Sequence, residues 1–167
     1  SRRSSTGGNG WQTPVQIEQY HMTQPSMATG TGDGNYVYVA YKTTNGGINF
    51  ERSDTNEHGV SWGSQCSLSS AGDRPCIAAL GQFVFACWHN AQDKIVYRFS
   101  TNAGDDWSEP VSKADVSYYA QTNVSAAIVD GRKRVLLTCR RRIGSSYYTY
   151  FEFGTLVTDH ISWSEQM

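Results

Sequence analysis

Two aromatic groups in this sequence have the residue types that bind sugars. Sugar recognition needs flat aromatic faces beside hydrogen-bonding side chains, and Trp88 is followed directly by His89 and Asn90. Tyr118 and Tyr119 form the second group. Either group could face a glycan, and for each the alternative is packing against a neighbouring element of the fold.

Arginines offer cationic chemistry for an anionic sugar in two places. Arg74 stands in the sequence Asp73-Arg74-Pro75, directly before a predicted strand. Arg140 and Arg141 begin a run of three arginines at the end of another predicted strand. A guanidinium group in either place could bind an anionic sugar. The alternative for both is an ordinary solvated loop arginine, and we assign no catalytic residue.

The sequence does not predict a metal site. His21, His58, His89 and His160 are scattered along the chain, and no Cys-x-x-Cys pair is present. We therefore expect no metal and no other cofactor. A sequon that begins at Asn123 is a candidate site for N-glycosylation, although it overlaps the start of a predicted strand.

A short phrase ending in tryptophan indicates how the chain is built. Ser100, Asn102, Gly104 and Trp107 follow the pattern Ser-x-Asn/Asp-x-Gly-x-x-Trp. The glycine supplies a backbone angle that other residues resist, and the Ser and Asn side chains can bond nearby backbone amides. The phrase therefore predicts a tight hairpin between two outer strands, with Trp107 folded into the space between sheets.

Weaker copies of this phrase recur along the chain. One ends at Trp62 and keeps Gly59, another ends at Trp11 and keeps Gly8, and the last keeps only Trp163. The tryptophans follow one another at intervals of 51, 45 and 56 residues. Intervals of this size are typical of a propeller blade or another repeat unit.

The repeated phrase resembles the Asp-box, or bacterial neuraminidase repeat, of sialidase-like β-propellers. The resemblance implies an all-β fold made of blades with four antiparallel strands each. Composition agrees with it, since aromatic residues make up 13% of the chain, charged residues only 17%, and the apolar segments are short and alternate. We therefore predict an all-β propeller module.

Aligned on the tryptophans, the chain divides into a leading strand and three blades. The leading outer strand covers 11–17, and the blades cover about 25–68, 74–113 and 122–167. The fourth strand of the last blade would follow Trp163, and we expect another copy or a further part of a longer chain to supply it. We treat the whole chain, 1–167, as one module.

A propeller closes with about four to eight blades, so three blades leave the ring incomplete. Two copies could close a six-bladed ring, and many copies could donate strands to form a filament. The chain could also be part of a longer propeller. The expected partner is therefore the chain itself or the rest of a longer chain.

The four cysteines are an even number in a β chain whose composition suits a secreted protein, which makes disulfides plausible. We expect Cys66 to pair with Cys76, because they are close in sequence and could join two blades. We expect Cys87 to pair with Cys139, because both end the second strand of their blade. The alternative is that the cysteines are buried thiols.

Charge and hydropathy exclude several other partners. The formal net charge is −1, so nothing favours nucleic acid or an anionic membrane. No apolar run approaches the roughly 18 residues that span a bilayer. The polar, nearly neutral composition is typical of an extracellular or cell-surface protein.

Enzymatic activity is the second hypothesis, because Asp-box proteins include sialidases. The resemblance implies an arginine triad for the substrate carboxylate, a Tyr nucleophile with a carboxylate, and an early Phe/Tyr-Arg-Ile/Leu-Pro motif. Only Asp73-Arg74-Pro75 comes near that motif, and it lacks the aromatic and spacer residues. We therefore expect a non-catalytic structural, self-assembling or glycan-binding module. The alternative is a fragment of a sialidase-like glycoside hydrolase.

Overall fold

A computed structural model describes residues 23–30, 36–53, 61–63, 65–92, 94–113, 122–129, 132–143 and 145–164. Side chains are described for these residues except 122–129 and 140–143. The predicted leading strand 11–17 therefore lies outside the described residues, as do Gly8, Trp11, Gly59, Tyr118 and Tyr119. Within the described part of the chain, all regular structure is β-strand.

The strands form three four-stranded antiparallel sheets. The first sheet contains β1 (Thr23–Thr29), β2 (Val37–Lys42), β3 (Ile48–Arg52) and β4 (Cys66–Ser69). The second contains β5 (Asp73–Leu80), β6 (Phe83–His89), β7 (Ile95–Ser100) and β8 (Val111–Ser112). The third contains β9 (Thr122–Val129), β10 (Arg132–Ile143), β11 (Ser146–Val157) and β12 (His160–Trp163).

Each sheet is a meander in which strands pair in chain order. The first strands of the sheets lie side by side, β1 against β5 and β5 against β9. They are therefore the inner strands, and β4, β8 and β12 are the outer strands. This is the architecture of β-propeller blades, and the predicted fold class is confirmed.

The hydrophobic core lies between the sheets in two clusters. Tyr38 and Ile48 of the first sheet meet Val84 and Trp88 of the second. The opposite side of the second sheet meets the third, with Phe85 among the buried residues of that cluster. Because successive side chains of a strand alternate between faces, β6 contributes to both clusters and all seven of its residues are buried.

The segment 100–107 forms a hydrogen-bonded turn after β7. Ser100 Oγ accepts hydrogen bonds from the amides of Gly104 at 2.8 Å and Asn102 at 3.3 Å. Asn102 Oδ1 accepts one from the Asp106 amide at 3.0 Å. Gly104 has a φ of 93°, which an L side chain rarely adopts. The turn conformation therefore depends on both polar side chains and on the glycine.

Two of the repeated tryptophans pack against the preceding blade. The Trp107 ring meets Phe50 of the first sheet edge-on, with centroids 4.9 Å apart, and its Nε1 donates to Gly104 O at 3.1 Å. Trp163 meets Tyr97 of the second sheet in the same way at 5.5 Å. Trp62 pairs through its backbone with Ser53. Trp107 and Trp163 thus join successive blades.

The last blade differs from the expectation. Its fourth strand, β12, is His160–Trp163 and pairs with Gly154–Val157, whereas we expected that strand to follow Trp163. The reason is that β11 is twelve residues long and reverses directly at Thr158, which has a φ of 48°. The tryptophan therefore lies within the strand and not before it.

None of the four cysteines is in a disulfide, so the expected pairs are not formed. Cys66 is on the outer strand β4 of one blade and Cys76 on the inner strand β5 of the next, so they belong to opposite edges of their sheets. Cys87 and Cys139 do lie in one buried cluster between the second and third sheets. The residue directly opposite Cys87 in its own sheet is Cys76.

No helix that is long and apolar enough to cross a membrane occurs in the described part of the chain.

Candidate functional site

The first residues of the inner strands β1 and β5 form matching bulges. The antiparallel register shifts between Thr23 and Ser26, and again between Asp73 and Cys76. Within these bulges Gln24 has a φ of 52° and Arg74 a φ of 51°. A left-handed conformation of a residue other than glycine costs roughly 1–3 kcal/mol, and such residues cluster at functional sites. The two bulges are therefore candidates for a functional role.

The bulges lie beside each other because β1 binds the backbone of β5. Gln24 Oε1 accepts a hydrogen bond from the Arg74 amide at 2.9 Å. Ser26 Oγ accepts one from the Ile77 amide at 3.1 Å. The first of these contacts stabilises the left-handed backbone of Arg74 through its amide, and the second joins β1 to β5 three residues further on.

Three charged side chains meet at this end of the blades. Lys42 Nζ lies 2.8 Å from Asp73 Oδ1, and Arg74 Nε lies 3.6 Å from Asp73 Oδ2. The hydrogen bond from Lys42 is the largest cause of a lowered pKa for Asp73. Two cations therefore surround one carboxylate that stays ionised. The group, which we call the Arg74 cluster (Lys42, Asp73 and Arg74), has one positive charge in excess.

The Arg74 cluster is accessible to a ligand. The side chains of Lys42, Asp73 and Arg74 are 30%, 38% and 43% exposed. Asp73 is the ion-pair partner of Arg74 among the described residues, and it contacts the Nε edge of the guanidinium. The arginine fork can therefore present its other N–H groups to an incoming carboxylate.

Trp88 and His89 do not offer the exposed face that we expected. Each is only 2% exposed, and the Trp88 ring belongs to the core between the first and second sheets. The reason is that β6 continues through His89, which is paired with Asp73, so the loop begins only at Asn90. Trp88 instead packs against Gly72, where an added Cβ would lie 2.6 Å from the indole.

The remaining candidates lie on the third sheet. Asn123 is the second residue of β9, the position that Gln24 and Arg74 occupy in β1 and β5. Its backbone partner is Thr138. Arg140 and Arg141 continue β10 beyond the start of β9, since Thr122 is paired with Cys139. The sequence-predicted arginines are thus in strand β10 and not in a loop.

A cavity beside the 100–107 turn is lined by residues that the protein uses for its own contacts. A cavity of about 290 Å³ lies between the first blade and the 100–107 turn, and Arg52 and Asp105 line it. Arg52 donates to Ala103 O at 2.9 Å, pairs with Asp105 at 2.9 Å, and stacks on Tyr36 at 4.6 Å. Because its guanidinium is occupied by these contacts, Arg52 joins two blades and is not a candidate ligand-binding group.

Sequence reasoning missed Lys42 and Gln24. A signal for Gln24 was present, because Gln24-Pro25 and Arg74-Pro75 open corresponding strands and are separated by 50 residues. The partnership of Lys42 with Asp73 had no such signal. It depends on how the end of β2 lies against the start of β5 in the next blade.

Comparisons with known proteins support the fold. No family model matches the chain, and no curated protein matches it in sequence. Several solved structures are similar, among them the following three. A mutant of NanB sialidase from Streptococcus pneumoniae has a TM-score of 0.73 and 19% identity, over 99% of this chain and 27% of that chain. The intramolecular trans-sialidase from Ruminococcus gnavus, in complex with oseltamivir carboxylate, has a TM-score of 0.70 and 16% identity. The match covers 97% of this chain and 38% of that chain. AofleA from Arthrobotrys oligospora has a TM-score of 0.66 and 11% identity, over 96% of this chain and 48% of that chain.

These similarities show that the chain has the fold of sialidase β-propellers. Identities of 11–19% carry no information about activity. The chain spans between about a quarter and a half of the length of the structures that it matches, at 27% for NanB and 48% for AofleA.

Proposed function

We propose that this protein is an extracellular, non-catalytic β-propeller module that binds an anionic glycan at the Arg74 cluster. The observation that carries the proposal is the exposed guanidinium of Arg74 on a left-handed backbone, next to the ion pair of Asp73 with Lys42. A strained and exposed arginine with a net positive surrounding is suited to a carboxylate ligand.

An acidic sugar fits the cluster better than a neutral one. Arginine binds a carboxylate through two parallel N–H groups, and such charge-assisted bonds are about twice as strong as neutral ones. Two of the similar structures are named as a sialidase and a trans-sialidase, and sialic acid is an acidic sugar. We therefore expect the ligand to be a sialylated or similarly acidic glycan.

The protonation state of Asp73 supports binding over hydrolysis. A general acid in a glycoside hydrolase needs a raised pKa, so that it keeps its proton near neutral pH. The pKa of Asp73 is lowered by Lys42 instead. The carboxylate of Asp73 therefore orients the two cations of the cluster and does not transfer protons.

We also propose that the 100–107 turn is an Asp-box turn. The support is its pattern of side-chain bonds from Ser100 and Asn102, the positive φ of Gly104 and the indole bond of Trp107. Its role is structural, since it carries Trp107 onto the first blade.

The experiment that tests the glycan proposal compares acidic and neutral sugars. We expect the purified chain to bind sialylated oligosaccharides on a glycan array and to ignore the matching asialo structures. Equal binding to the sialylated and asialo structures, or no binding to the array, would contradict the proposal that the ligand is an anionic glycan.

A second candidate is that the chain is part of a sialidase-like glycoside hydrolase. The observation that favours it is coverage, because the chain matches 27% of one sialidase and 38% of a trans-sialidase. The catalytic groups would then lie partly outside this chain. Hydrolysis of a fluorogenic sialoside that disappears on Arg74→Ala would establish this candidate, and we expect no turnover above buffer.

The third blade supports the proposal that a further blade completes the propeller. Phe151 and Phe153 of β11 are 57% and 43% exposed. Tyr97 and Phe99 of β7 in the second sheet are only 4% and 7% exposed, because the third sheet covers them. A second copy or the rest of a longer chain would bury the β11 residues in the same way, at about 25 cal/mol per Å² of apolar surface.

A further inference from the structure

Cys76 and Cys87 are directly opposite each other on the adjacent strands β5 and β6. Opposed residues of an antiparallel pair have Cα atoms about 4.5 or 5.5 Å apart, depending on the hydrogen-bonding position. Both separations fall within the range of roughly 4.4–6.8 Å that a disulfide spans. Opposed side chains also point to the same face of the sheet, so the two sulfur atoms are neighbours.

The two thiols differ in their access to solvent. Cys87 is fully buried in the core between the second and third sheets, whereas Cys76 is partly exposed at the edge of that cluster. The hydrogen bond between them lowers the pKa of Cys76 and raises that of Cys87. Since the thiolate is the reactive form, Cys76 is the thiol that an oxidant reaches and modifies first.

We propose that Cys76 and Cys87 are an oxidation site that closes to a reversible cross-strand disulfide in the second blade. This pairing differs from both pairs that the sequence suggested. It needs no movement of one blade relative to another, because both residues belong to the same sheet.

Oxidised glutathione is sufficient as the oxidant. The Cys76 thiolate attacks one sulfur of the glutathione disulfide, forms a mixed disulfide and releases one glutathione thiolate. Cys87 then gives up its proton and attacks the Cys76 sulfur, which releases the second glutathione as its thiolate. Two protein thiols are oxidised by two electrons, and one glutathione disulfide is reduced to two thiols.

The disulfide would fix the inner strand at the bulge of the Arg74 cluster. Cys76 is the residue at which the regular register of β5 with β6 resumes after Asp73. Cys139 of the third sheet lies in the same buried cluster, so it is the competing partner for Cys87.

A peptide map of the full chain tests this proposal. The protein is equilibrated in glutathione buffers of increasing oxidised fraction, and its intact mass is measured. It is then denatured in acid, alkylated while denatured and digested with chymotrypsin, which cuts after Phe83 and Phe85 and so separates the two cysteines. We expect the intact mass before alkylation to fall by that of two hydrogen atoms, and the digest to contain a linked peptide pair with Cys76 and Cys87. A linkage of Cys87 to Cys139 or of Cys66 to Cys76, or four alkylated thiols at every glutathione ratio, would overturn the proposal.

Single variants give a second measurement. Cys76→Ser and Cys87→Ser should both abolish the loss of two hydrogen atoms, whereas Cys66→Ser should retain it. Loss of the linkage in Cys66→Ser would contradict the assignment. The peptide map of the unmodified chain decides the question even where a buried variant fails to fold.

Discussion

The ring of Phe50 occupies the place where a Cβ atom of Gly104 would lie. An ideal Cβ at that position would be 2.5 Å from two ring atoms of Phe50, far inside van der Waals contact. The φ of Gly104 is 93°, so its backbone also disfavours any other residue. The turn of the second blade therefore packs against the first blade at Gly104, where any other residue would clash with Phe50.

Gly104→Ala should destabilise the protein through both effects. Gly46 provides a matched control, because its φ is 86° and no atom lies within 4 Å of its ideal Cβ. The loss of unfolding free energy in Gly46→Ala reports the backbone cost alone. The loss in Gly104→Ala should be larger by about 1–3 kcal/mol, the usual cost of overpacking. Urea unfolding of both variants measures the difference, and equal losses would show that Phe50 does not restrict the turn.

Trp107→Ala should cost about 3 kcal/mol of unfolding free energy, at the lower end for large aromatic truncations because the ring is only partly buried. The lost contacts are the edge-on packing with Phe50 and the bond to Gly104 O. Tyr148→Ala is the control, since that ring is 50% exposed and should change stability by less than about 0.5 kcal/mol. Thermal or urea unfolding distinguishes them, and similar small losses would place Trp107 outside the core.

The lowered pKa of Asp73 predicts how stability depends on pH. A carboxylate with a depressed folded-state pKa contributes stability above its unfolded pKa of about 3.9, and that contribution is lost as the pH falls through the folded-state pKa. In Lys42→Met the main cause of the depression is absent. The melting temperature of the unmodified protein should therefore fall more steeply below about pH 4 than that of the variant. Parallel melting curves against pH would contradict the assigned pairing.

The mass of the native particle tests whether a second copy of the chain covers the exposed face of the third blade. Phe151→Asp places a charge on the exposed side of β11, where a further blade is proposed to pack. If a second copy supplies that blade, light scattering should show a dimer or larger particle that Phe151→Asp reduces to a monomer. Val111→Asp on β8, where the side chain is 42% exposed, is the control and should leave the mass unchanged. A monomer without any substitution would show that no second copy covers the face.

The blade architecture could be predicted because its signals are local. The side-chain hydrogen bonds of Ser100, Asn102 and Trp107 in this turn join residues at most four apart, so the phrase itself predicts them. Arg74 could be singled out for the same reason, as it precedes a proline at the start of a strand. The sequence pattern did not predict which residues of the neighbouring blade contact the turn or Arg74.

The features that sequence reasoning missed depend on register and on contacts between blades. His89 was predicted in the loop after the strand that ends at Trp88, because nothing in the sequence indicates that β6 continues through His89. The pair of Cys66 with Cys76 was predicted from proximity along the chain, and that of Cys87 with Cys139 from equivalent positions in consecutive blades. Strand pairing places Cys76 opposite Cys87 instead. The ion pair of Lys42 likewise joins side chains 31 residues apart.

The central claim is that Arg74 binds an acidic sugar, and isothermal titration with sialyllactose tests it most directly. Arg74→Ala should weaken binding by about tenfold or more, which is ~1.4 kcal/mol and corresponds to one charge-assisted contact. Arg132→Ala, at an exposed arginine of β10, should bind as the unmodified chain does. Lactose without the sialic acid should not bind to any of the three proteins. Binding of sialyllactose with the same affinity by Arg74→Ala and the unmodified chain would contradict the account.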